Sequence, residues 1–324
     1  MPNIHLINPL SDPAGGSERR TAALYALLRD HADVRLWSRG EPAPHFAAEL
    51  PIRRIRVERL AFPKTGTFVF VGVYFRLGRW LRLTRPSRII LICNTFQRAE
   101  LEYRLRHFEG ILGRPPELVY TSDLVRDWSG HPGTVEVSPI DISRFSPAPP
   151  RAGQMFTIGR LSRDAPLKHH SGDAALYRRL AEQRCRIRVM GASDVLRAAI
   201  MGNPAIDLLP SCAVEASAFL QRLDCFFYRT SEEWPEPWGR VVIEAMACGL
   251  PVVGHRSGGY AAIIDHGRNG FLFDSDDEAE AILLALKADP ELRRRIGSAA
   301  RATIESLLSP RTRSEMVDFY CRQD

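Results

Sequence analysis

The most informative stretch of this sequence is Glu236-Pro-Trp-Gly-Arg-Val-Val-Ile-Glu-Ala-Met-Ala-Cys-Gly-Leu-Pro-Val-Val253. Gly239 can open a helix, Gly249 can end one, and Pro251 cannot continue it. The spacing therefore predicts a loop, a helix over roughly Arg240–Cys248 and then a strand, which is the repeating unit of an α/β protein.

The two glutamates of this stretch occupy different environments. Glu244 lies about one turn into the predicted helix among apolar residues, so its carboxylate should be partly desolvated and needs a hydrogen-bond donor. Glu236 precedes the helix on a loop that Pro237 stiffens, and the backbone N–H groups of Gly239 and Arg240 make the helix start attractive to negative charge. In isolation, such glutamates are more often a solvated loop residue and an ion-paired one.

Strand-like and helical patterns alternate along the rest of the chain in the same way. This alternation predicts parallel sheets covered by helices. The predicted elements are the strands Ile4–Asn8 and Val34–Trp37 around a helix Ser17–Arg29, then the strands Met155–Ile158, Arg186–Met190, Ile206–Leu209, Asp224–Tyr228, Pro251–Val253 and Phe271–Phe273.

A proline-rich segment, Val137–Pro150, interrupts the alternation, with four prolines in fourteen residues. Proline disfavours both helix interiors and central strands, so we place a domain boundary there. We predict an N-terminal Rossmann-like domain over residues 1–148 and a C-terminal one over 149–310, with the terminal helix (311–324) packing back on the first. Two doubly wound domains would bind a ligand in the cleft between the carboxyl ends of their strands.

Composition bounds the class of protein. The chain has 324 residues, of which 45% are hydrophobic and 25% are charged. This composition is typical of a globular protein, and the length allows two domains with separate hydrophobic cores. Its net charge of +6, carried mostly by arginine, suits phosphate-bearing partners such as nucleotides, anionic lipids or nucleic acid.

Targeting features are sparse. The six cysteines are far apart and include no Cys-x-x-Cys pair, which favours a reducing compartment. No secretory signal is evident at Met1–Leu6, and the longest apolar run, Phe68–Phe75, is far shorter than the roughly 20 residues of a spanning helix. We expect a cytoplasmic protein without a membrane span.

The Glu236–Val253 stretch resembles the Glu-x7-Glu signature of family-4 retaining glycosyltransferases, in its fuller form Glu-Pro-aromatic-Gly followed by Glu-Ala-Met-Ala-Cys-Gly-Leu-Pro-Val-Val. The resemblance implies the GT-B fold, two Rossmann-like domains facing each other across a cleft. It implies that Glu236 faces the donor sugar and that Glu244 hydrogen-bonds the nucleotide ribose. Pro237, Trp238, Gly239 and Arg240 would then belong to the donor site.

Two further segments resemble the same family. Ile158-Gly-Arg-Leu-Ser162 followed by Lys168 is similar to its Gly-Arg-Leu…Lys segment, which implies that Arg160 and Lys168 neutralise the donor diphosphate. Their spacing is longer than usual, so the loop Ser162–Leu167 must bulge. Asp12-Pro-Ala-Gly-Gly-Ser-Glu18 is similar to the family's first loop, in which Gly15 and Gly16 would let the backbone approach the donor and Ser17 would cap the helix.

Other positions depart from the family pattern. Ala262 stands where the family commonly has a glutamate after its late Gly-Gly pair, and an N-domain histidine facing the donor sugar is not found, with Asn94 or Arg98 in its place. His169 and His170 are adjacent and have no third ligand nearby in sequence, so we expect surface histidines rather than a metal pair. We expect no metal and no cofactor, since the nucleotide sugar is a substrate.

These observations lead to one functional hypothesis with alternatives. The resemblance implies a retaining, metal-independent glycosyltransferase that moves a sugar from a nucleotide diphosphate, UDP ahead of GDP, to a glycan or lipid-linked acceptor in bacterial surface polysaccharide synthesis. A degenerate nucleotide-sugar-binding scaffold subunit and a sugar-nucleotide epimerase of the same fold remain open.

Two other classes are excluded. A nicotinamide dehydrogenase would need Gly-x-Gly-x-x-Gly after the first strand, and a nucleic-acid-binding protein would need a recognisable binding element; the sequence has neither.

The stretch 53–85 mixes arginines with Phe, Trp and Leu. It is typical of a patch that lies on an anionic membrane surface, which would make the protein peripheral on the inner face of a membrane. The alternative is a buried helix with a solvated arginine face.

Overall fold

The computed structural model describes residues 1–74, 78–149 and 153–322. The chain forms two compact units: Met1–Ile140 together with the chain from Leu308 onward, and Asp141–Leu307. The first division falls inside the proline-rich segment, whose last residue, Pro150, lies outside the described residues.

Unit 1 is a parallel sheet flanked by helices. Within the described residues it has seven strands in the order β3-β2-β1-β4-β5-β6-β7, all paired in parallel. The strands are β1 (Asn3–Ile7), β2 (Asp33–Ser38), β3 (Ile52–Arg54), β4 (Thr65–Val71), β5 (Arg85–Cys93), β6 (Glu117–Tyr120) and β7 (Thr134–Val135). The helices are α1 (Gly16–Leu28), α2 (Pro44–Glu49), α3 (Arg98–Leu112) and α4 (Asp123–Ser129), with 3₁₀ turns at Val57–Arg59 and Arg79–Leu83.

Unit 2 repeats this architecture. Its six described strands follow the order β10-β9-β8-β11-β12-β13, again all parallel. They are β8 (Thr157–Leu161), β9 (Arg186–Met190), β10 (Ile206–Leu209), β11 (Cys225–Tyr228), β12 (Val252–His255) and β13 (Phe271–Phe273). The helices are α5 (Asp173–Glu182), α6 (Asp194–Ile200), α7 (Ala216–Leu220), α8 (Arg240–Ala247), α9 (Asp276–Ala288) and α10 (Pro290–Leu307), with 3₁₀ turns at Pro166–Lys168 and Gly259–Ile263.

The predicted fold class is confirmed, because both units are doubly wound parallel sheets with the strand order of nucleotide-binding folds. The strands β9, β10 and β13 have the predicted bounds. The first strand of unit 2 was predicted too early: β8 begins at Thr157, and Met155 is exposed.

The terminal helix, α11 (Pro310–Cys321), packs within unit 1. Tyr320 is fully buried, and its hydroxyl donates to Oε1 of Glu136 at 2.9 Å. The same oxygen accepts from Nη2 of Arg20, on α1, at 2.6 Å. A buried carboxylate with two donors thus ties the end of the chain to the sheet and to α1.

In the described part of the stretch 53–85, the aromatic side chains other than Tyr74 are buried, and the segment forms strands and 3₁₀ turns rather than one helix. Phe68 and Phe70 lie on the central strand β4 and are fully buried, and Trp80 and Leu81 are buried beside them. The alternative of a buried helix is wrong, because the central part of the stretch is a strand that the parallel sheet buries on both faces, and contact of the stretch with a membrane surface stays a prediction. Residues 75–77 of the stretch lie outside the described part of the chain.

Candidate functional site

The residues predicted to bind a donor in unit 2 follow the carboxyl ends of its central strands. Arg160 is on β8, the next strand in the sheet, β11, ends at Tyr228, and the loop after β11 carries Glu236 to the start of α8. Because parallel strands end at one edge of the sheet, residues from separate parts of the chain meet there.

Glu236 lies at the centre of this cluster. Its Oε2 accepts from Nζ of Lys168 and from the hydroxyl of Tyr228, each at 2.6 Å. The Lys168 and Glu236 side chains are only 12% exposed. Burial acts to raise the pKa of Glu236, but the Lys168 charge and the hydrogen bonds from Lys168 and Tyr228 hold that pKa below its usual value. The carboxylate is therefore ionised and held at one oxygen by two donors.

The loop before Lys168 is fixed by backbone contacts, which explain how the long spacing from Arg160 is accommodated. Pro166–Lys168 forms a 3₁₀ turn, and the Leu167 carbonyl accepts from the Ser231 backbone N–H at 3.1 Å. This bond joins the Lys168 loop to the loop that leads to Glu236. The predicted bulge thus delivers Lys168 to Glu236.

His169 was predicted to lie at the surface, and that prediction is wrong. The residue is buried, its Nε2 donates to the Gly191 carbonyl at 2.8 Å, and its Nδ1 lies 3.8 Å from Asp173. Gly191 has a φ of +93° and no room for a side chain, because a Cβ there would lie 1.9 Å from the Ser162 carbonyl oxygen. His169 therefore closes the loop after Lys168 onto the sheet.

Arg160 lies beneath this cluster rather than at its surface. Its side chain is 1% exposed, its guanidinium lies 5.1 Å over the Tyr228 ring, and its Nη1 donates to the Arg229 carbonyl at 2.5 Å. Nη1 is also 3.7 Å from Asp173. Arg160 thus contacts the Lys168–Glu236 pair through Tyr228.

Asp173 is the buried counterion of this layer. It is fully buried and accepts from Nε of Arg229 at 2.7 Å; Arg229 in turn donates to Asp276. Burial acts to raise the pKa of Asp173, but the nearby His169 ring, the charges of Arg160 and Arg229 and the hydrogen bond from Arg229 hold that pKa below its usual value. The site is therefore backed by a charged network inside unit 2.

The start of α8 requires glycine. Gly239 has a φ of +80°, and a Cβ there would lie 2.6 Å from Tyr260. Gly254 and Gly258 approach the same ring, at 2.8 and 2.2 Å for their hypothetical Cβ atoms. Tyr260 is 1% exposed, lies edge-on to Tyr228 with ring centroids 5.6 Å apart, and donates to the His255 carbonyl at 2.8 Å. Three glycines thus make room for the ring that packs on Tyr228.

The loop itself is held by its backbone. The Glu236 carbonyl accepts from the Gly259 N–H at 2.8 Å, which joins the loop to the Gly258-Gly259 pair at the start of the 3₁₀ turn Gly259–Ile263. Trp238 is buried, and its indole N–H has no acceptor among the residues described. Contact of Pro237 and Trp238 with a donor stays a prediction.

Glu244 has the buried environment that its sequence context predicts. It is 2% exposed, and its Oε1 accepts from Nε of Arg240 at 2.9 Å within the same helix. This ion pair supplies the required donor. A contact with a ribose remains a prediction, and a ligand would have to share the carboxylate with Arg240.

Gly15 and Gly16 belong to unit 1. Gly15 precedes α1, and a Cβ there would lie 2.1 Å from Oε2 of Glu18, whereas a Cβ at Gly16 would meet no atom within 4 Å. Ser17 is not the helix cap: it is the second residue of α1, and its hydroxyl donates to Glu18 at 2.6 Å. Backbone approach by a ligand is therefore sterically open at Gly16.

Of the two N-domain candidates for a sugar contact, Arg98 is already engaged. Its guanidinium lies 5.3 Å over the Trp128 ring and donates to the Trp128 carbonyl.

Within the described ranges, no group of three or more His, Cys, Asp or Glu residues is arranged to hold a metal ion. Over the same ranges, none of the helices combines the length and the apolar character that crossing a bilayer would require.

Comparison with known proteins relates unit 2 to one family. Residues 149–303 match the model of a family described as glycosyl transferases group 1. D-inositol 3-phosphate glycosyltransferases of Pseudarthrobacter chlorophenolicus and Nocardiopsis dassonvillei are 26% and 28% identical to the chain, over 61% and 68% of it and 53% and 59% of their own lengths. The matched region thus spans little more than half of these relatives.

Solved structures match nearly the whole chain. Anabaena Alr3699/HepE, in complex with UDP and glucose, has a TM-score of 0.78 at 17% identity, covering 98% of this chain and 99% of that one. WaaG, a glycosyltransferase involved in lipopolysaccharide biosynthesis, has a TM-score of 0.69 at 15% identity, covering 98% and 99%. The chain has the GT-B fold, as predicted.

Sequence reasoning missed four members of the cluster: Tyr228, Asp173, Arg229 and Tyr260. One signal for Tyr228 was available, since it ends a predicted strand directly before the Glu236 loop, at the edge where such sheets bind ligands. Asp173 and Arg229 gave no comparable signal, because their role depends on a contact across 56 residues of chain.

Proposed function

We propose that this protein is a retaining glycosyltransferase of family 4 that transfers a sugar from a nucleoside-diphosphate sugar to a glycan or lipid-linked acceptor. The observation that carries the proposal is the convergence of Lys168 and Tyr228 on Oε2 of Glu236, shortly before the helix start at Gly239. A cation, a carboxylate and a helix N-terminus at one sheet edge are the groups needed to hold a diphosphate and a sugar hydroxyl together.

The mechanism we propose is a front-face displacement. The bond between the anomeric carbon and the diphosphate oxygen breaks as the acceptor hydroxyl attacks from the same face. The acceptor proton passes to the departing diphosphate, and no covalent enzyme intermediate forms. Lys168 and the N–H groups at the start of α8 stabilise the negative charge on the leaving group, Arg160 adds positive charge from beneath, and Glu236 orients the sugar.

A uridine nucleotide is the preferred donor in this proposal. Support comes from the neighbours of the same fold, since HepE is solved in complex with UDP and with UDP-glucose. A thermal-shift series with UDP, GDP and ADP tests it: a ligand at 100 times its Kd adds about 2.7 kcal/mol of stability. UDP should raise the Tm at lower concentration than GDP. Equal shifts for all three would contradict the base preference.

Turnover is tested by incubating UDP-sugars with glycan and lipid-linked acceptors and following release of UDP. The anomeric configuration of the product by NMR separates retention from inversion. Transfer should persist in excess chelator, because the proposal assigns no step to a metal. A product that contains only an altered nucleotide sugar would favour the epimerase alternative.

The proposed pathway is bacterial surface polysaccharide or glycolipid synthesis at the inner face of a membrane. WaaG acts in lipopolysaccharide biosynthesis, which supports this class of acceptor. With Phe68, Phe70 and Trp80 buried, membrane contact would depend on exposed Arg53, Arg59 and Arg79 with Leu60, Tyr74 and Leu83. Co-sedimentation with anionic vesicles at low and high salt tests it; absence of binding at low salt would favour a soluble acceptor.

A non-catalytic nucleotide-sugar-binding subunit is the second candidate. Ala262, where the family commonly has a glutamate, favours it. The alternatives separate experimentally, because a scaffold should bind UDP without transferring sugar to any acceptor, whereas the enzyme should do both.

A further inference from the structure

Glu236 has two donors of different character on one oxygen. Lys168 is charged, and its ammonium ends a flexible four-carbon chain. Tyr228 is neutral and ends a buried strand, with its side chain 2% exposed. The two donors should therefore respond differently when an anion enters the site.

Tyr228 is held from several sides. The Arg160 guanidinium lies 5.1 Å over its ring, the Phe226 ring is stacked at 6.0 Å with an interplanar angle of 13°, and Tyr260 lies edge-on at 77°. Tyr260 is itself enclosed by glycines. The hydroxyl of Tyr228 is therefore preorganised toward Glu236.

The Lys168 ammonium cannot bind Glu236 and a diphosphate equally strongly. A diphosphate carries more negative charge than a carboxylate, so its arrival should draw the lysine ammonium away. Glu236 would then keep only Tyr228 of the two donors described here. A buried carboxylate without donors is costly and takes up a proton instead.

We propose that Tyr228 is a positioning residue that keeps Glu236 ionised and in place while a bound diphosphate takes Lys168. The inference rests on the proposed function, since it concerns the same donor site. In this arrangement Lys168 moves between two anions, and the tyrosine hydroxyl stays with the carboxylate. Burial, followed by the charge of Glu236, raises the pKa of Tyr228 well above its usual value, so the hydroxyl remains a donor at any working pH.

The test is calorimetric titration with UDP, at a fixed pH near neutrality and in buffers of different ionisation enthalpy. Tyr228→Phe keeps the ring and its packing and removes only the hydroxyl. In this variant, UDP binding should be accompanied by uptake of roughly half to one proton more than in the wild type, because Glu236 then loses both of the donors described here when Lys168 leaves. In turnover, kcat should fall about tenfold, with the KM for the donor within about twofold.

Unit 1 contains a matched control. Tyr320 also donates from a buried hydroxyl to a buried glutamate, Glu136, which an arginine binds at the same oxygen. Tyr320→Phe removes an equivalent hydrogen bond, so its loss of stability should be similar, but its proton uptake on UDP binding should equal that of the wild type.

The outcomes are distinct. Normal UDP binding with the same proton uptake in all three proteins would overturn the role of Tyr228 and leave the proposed function standing. No UDP binding to the wild type would overturn the donor site itself, and the inference with it. Extra uptake in Tyr228→Phe alone supports the inference even if the acceptor is not yet known.

Discussion

Nζ of Lys168 lies 2.6 Å from Oε2 of Glu236, although 68 residues separate the two in the chain. Because both side chains are 12% exposed, solvent and salt screen this pair far less than a surface ion pair. In the free protein, the cation proposed for the diphosphate is thus bound to the carboxylate proposed for the sugar. Replacing Glu236 should therefore release Lys168, whereas replacing Lys168 should leave Glu236 bound to Tyr228.

Glu236→Ala should fold, bind UDP and lose turnover by two or more orders of magnitude, about 2.7 kcal/mol or more of transition-state stabilisation. UDP affinity should be kept or increased, because Lys168 no longer has to leave a carboxylate. Measurement of kcat beside the UDP dissociation constant checks this. Glu244→Ala is the comparison: it should weaken UDP binding instead. Wild-type transfer by a folded Glu236→Ala would refute the assignment of Glu236 to the donor sugar.

Lys168→Met should make stability depend differently on pH. In the wild type, the pKa of Glu236 is below its usual 4.5, so the ion pair stabilises the fold above that pH and the contribution is lost as pH falls through the lowered pKa. Without the cation, burial should raise the pKa of Glu236. The wild type should be the more stable protein at pH 7, and the difference in unfolding free energy should narrow below pH 4.5. The unfolding free energies are measured by urea titration at pH 7 and below pH 4.5. If the difference between wild type and variant is the same at both pH values, the charge of the ion pair contributes nothing to stability.

Gly239→Ala should destabilise the protein more than Gly267→Ala. Both glycines have a left-handed backbone, with φ of +80° and +79°, and a side chain there costs about 1–2 kcal/mol. Only Gly239 adds a collision with Tyr260, whereas a Cβ at Gly267 meets no atom within 4 Å. Overpacking should add about 1–3 kcal/mol. Chemical denaturation of the two variants measures the difference, and equal losses would mean that Tyr260 moves aside without cost.

His5 should make unit 1 sensitive to acid. Burial lowers its pKa from 6.5 to about 4; its Nδ1 accepts from the Trp37 indole at 2.9 Å and its Nε2 donates to the Thr65 carbonyl at 3.0 Å, so the ring is neutral. As pH falls below 6.5, the unfolded chain binds a proton that the folded chain does not bind until about pH 4. Stability should therefore decline over that window, by on the order of 3 kcal/mol.

The measurement is the unfolding free energy of the wild type and of His5→Gln between pH 7 and pH 4. The glutamine variant should be less stable at pH 7 and should lose less stability on acidification. If both proteins show the same slope over this window, His5 is not the group responsible.

Much of the site's local structure was available from sequence. Gly239 and Gly249 with Pro251 predicted a helix over Arg240–Cys248, and α8 spans Arg240–Ala247. The apolar flank of Glu244 predicted a buried carboxylate with a donor, which is Arg240. These features depend on neighbours within a few residues, so local composition and spacing suffice to predict them.

The sequence by itself determined the doubly wound fold, because strand and helix periods alternate along the chain and admit few topologies. Only the tertiary structure decided which residues meet: that Tyr228 and Lys168 share one oxygen of Glu236, that Arg160 lies beneath Tyr228, and that Phe68 and Phe70 are interior. The physical reason is the sequence separation of the residues in contact. Periodicity reports on contacts a few residues apart, whereas these contacts join separate strands and loops, and they form only once the sheet has brought the strand ends to one edge.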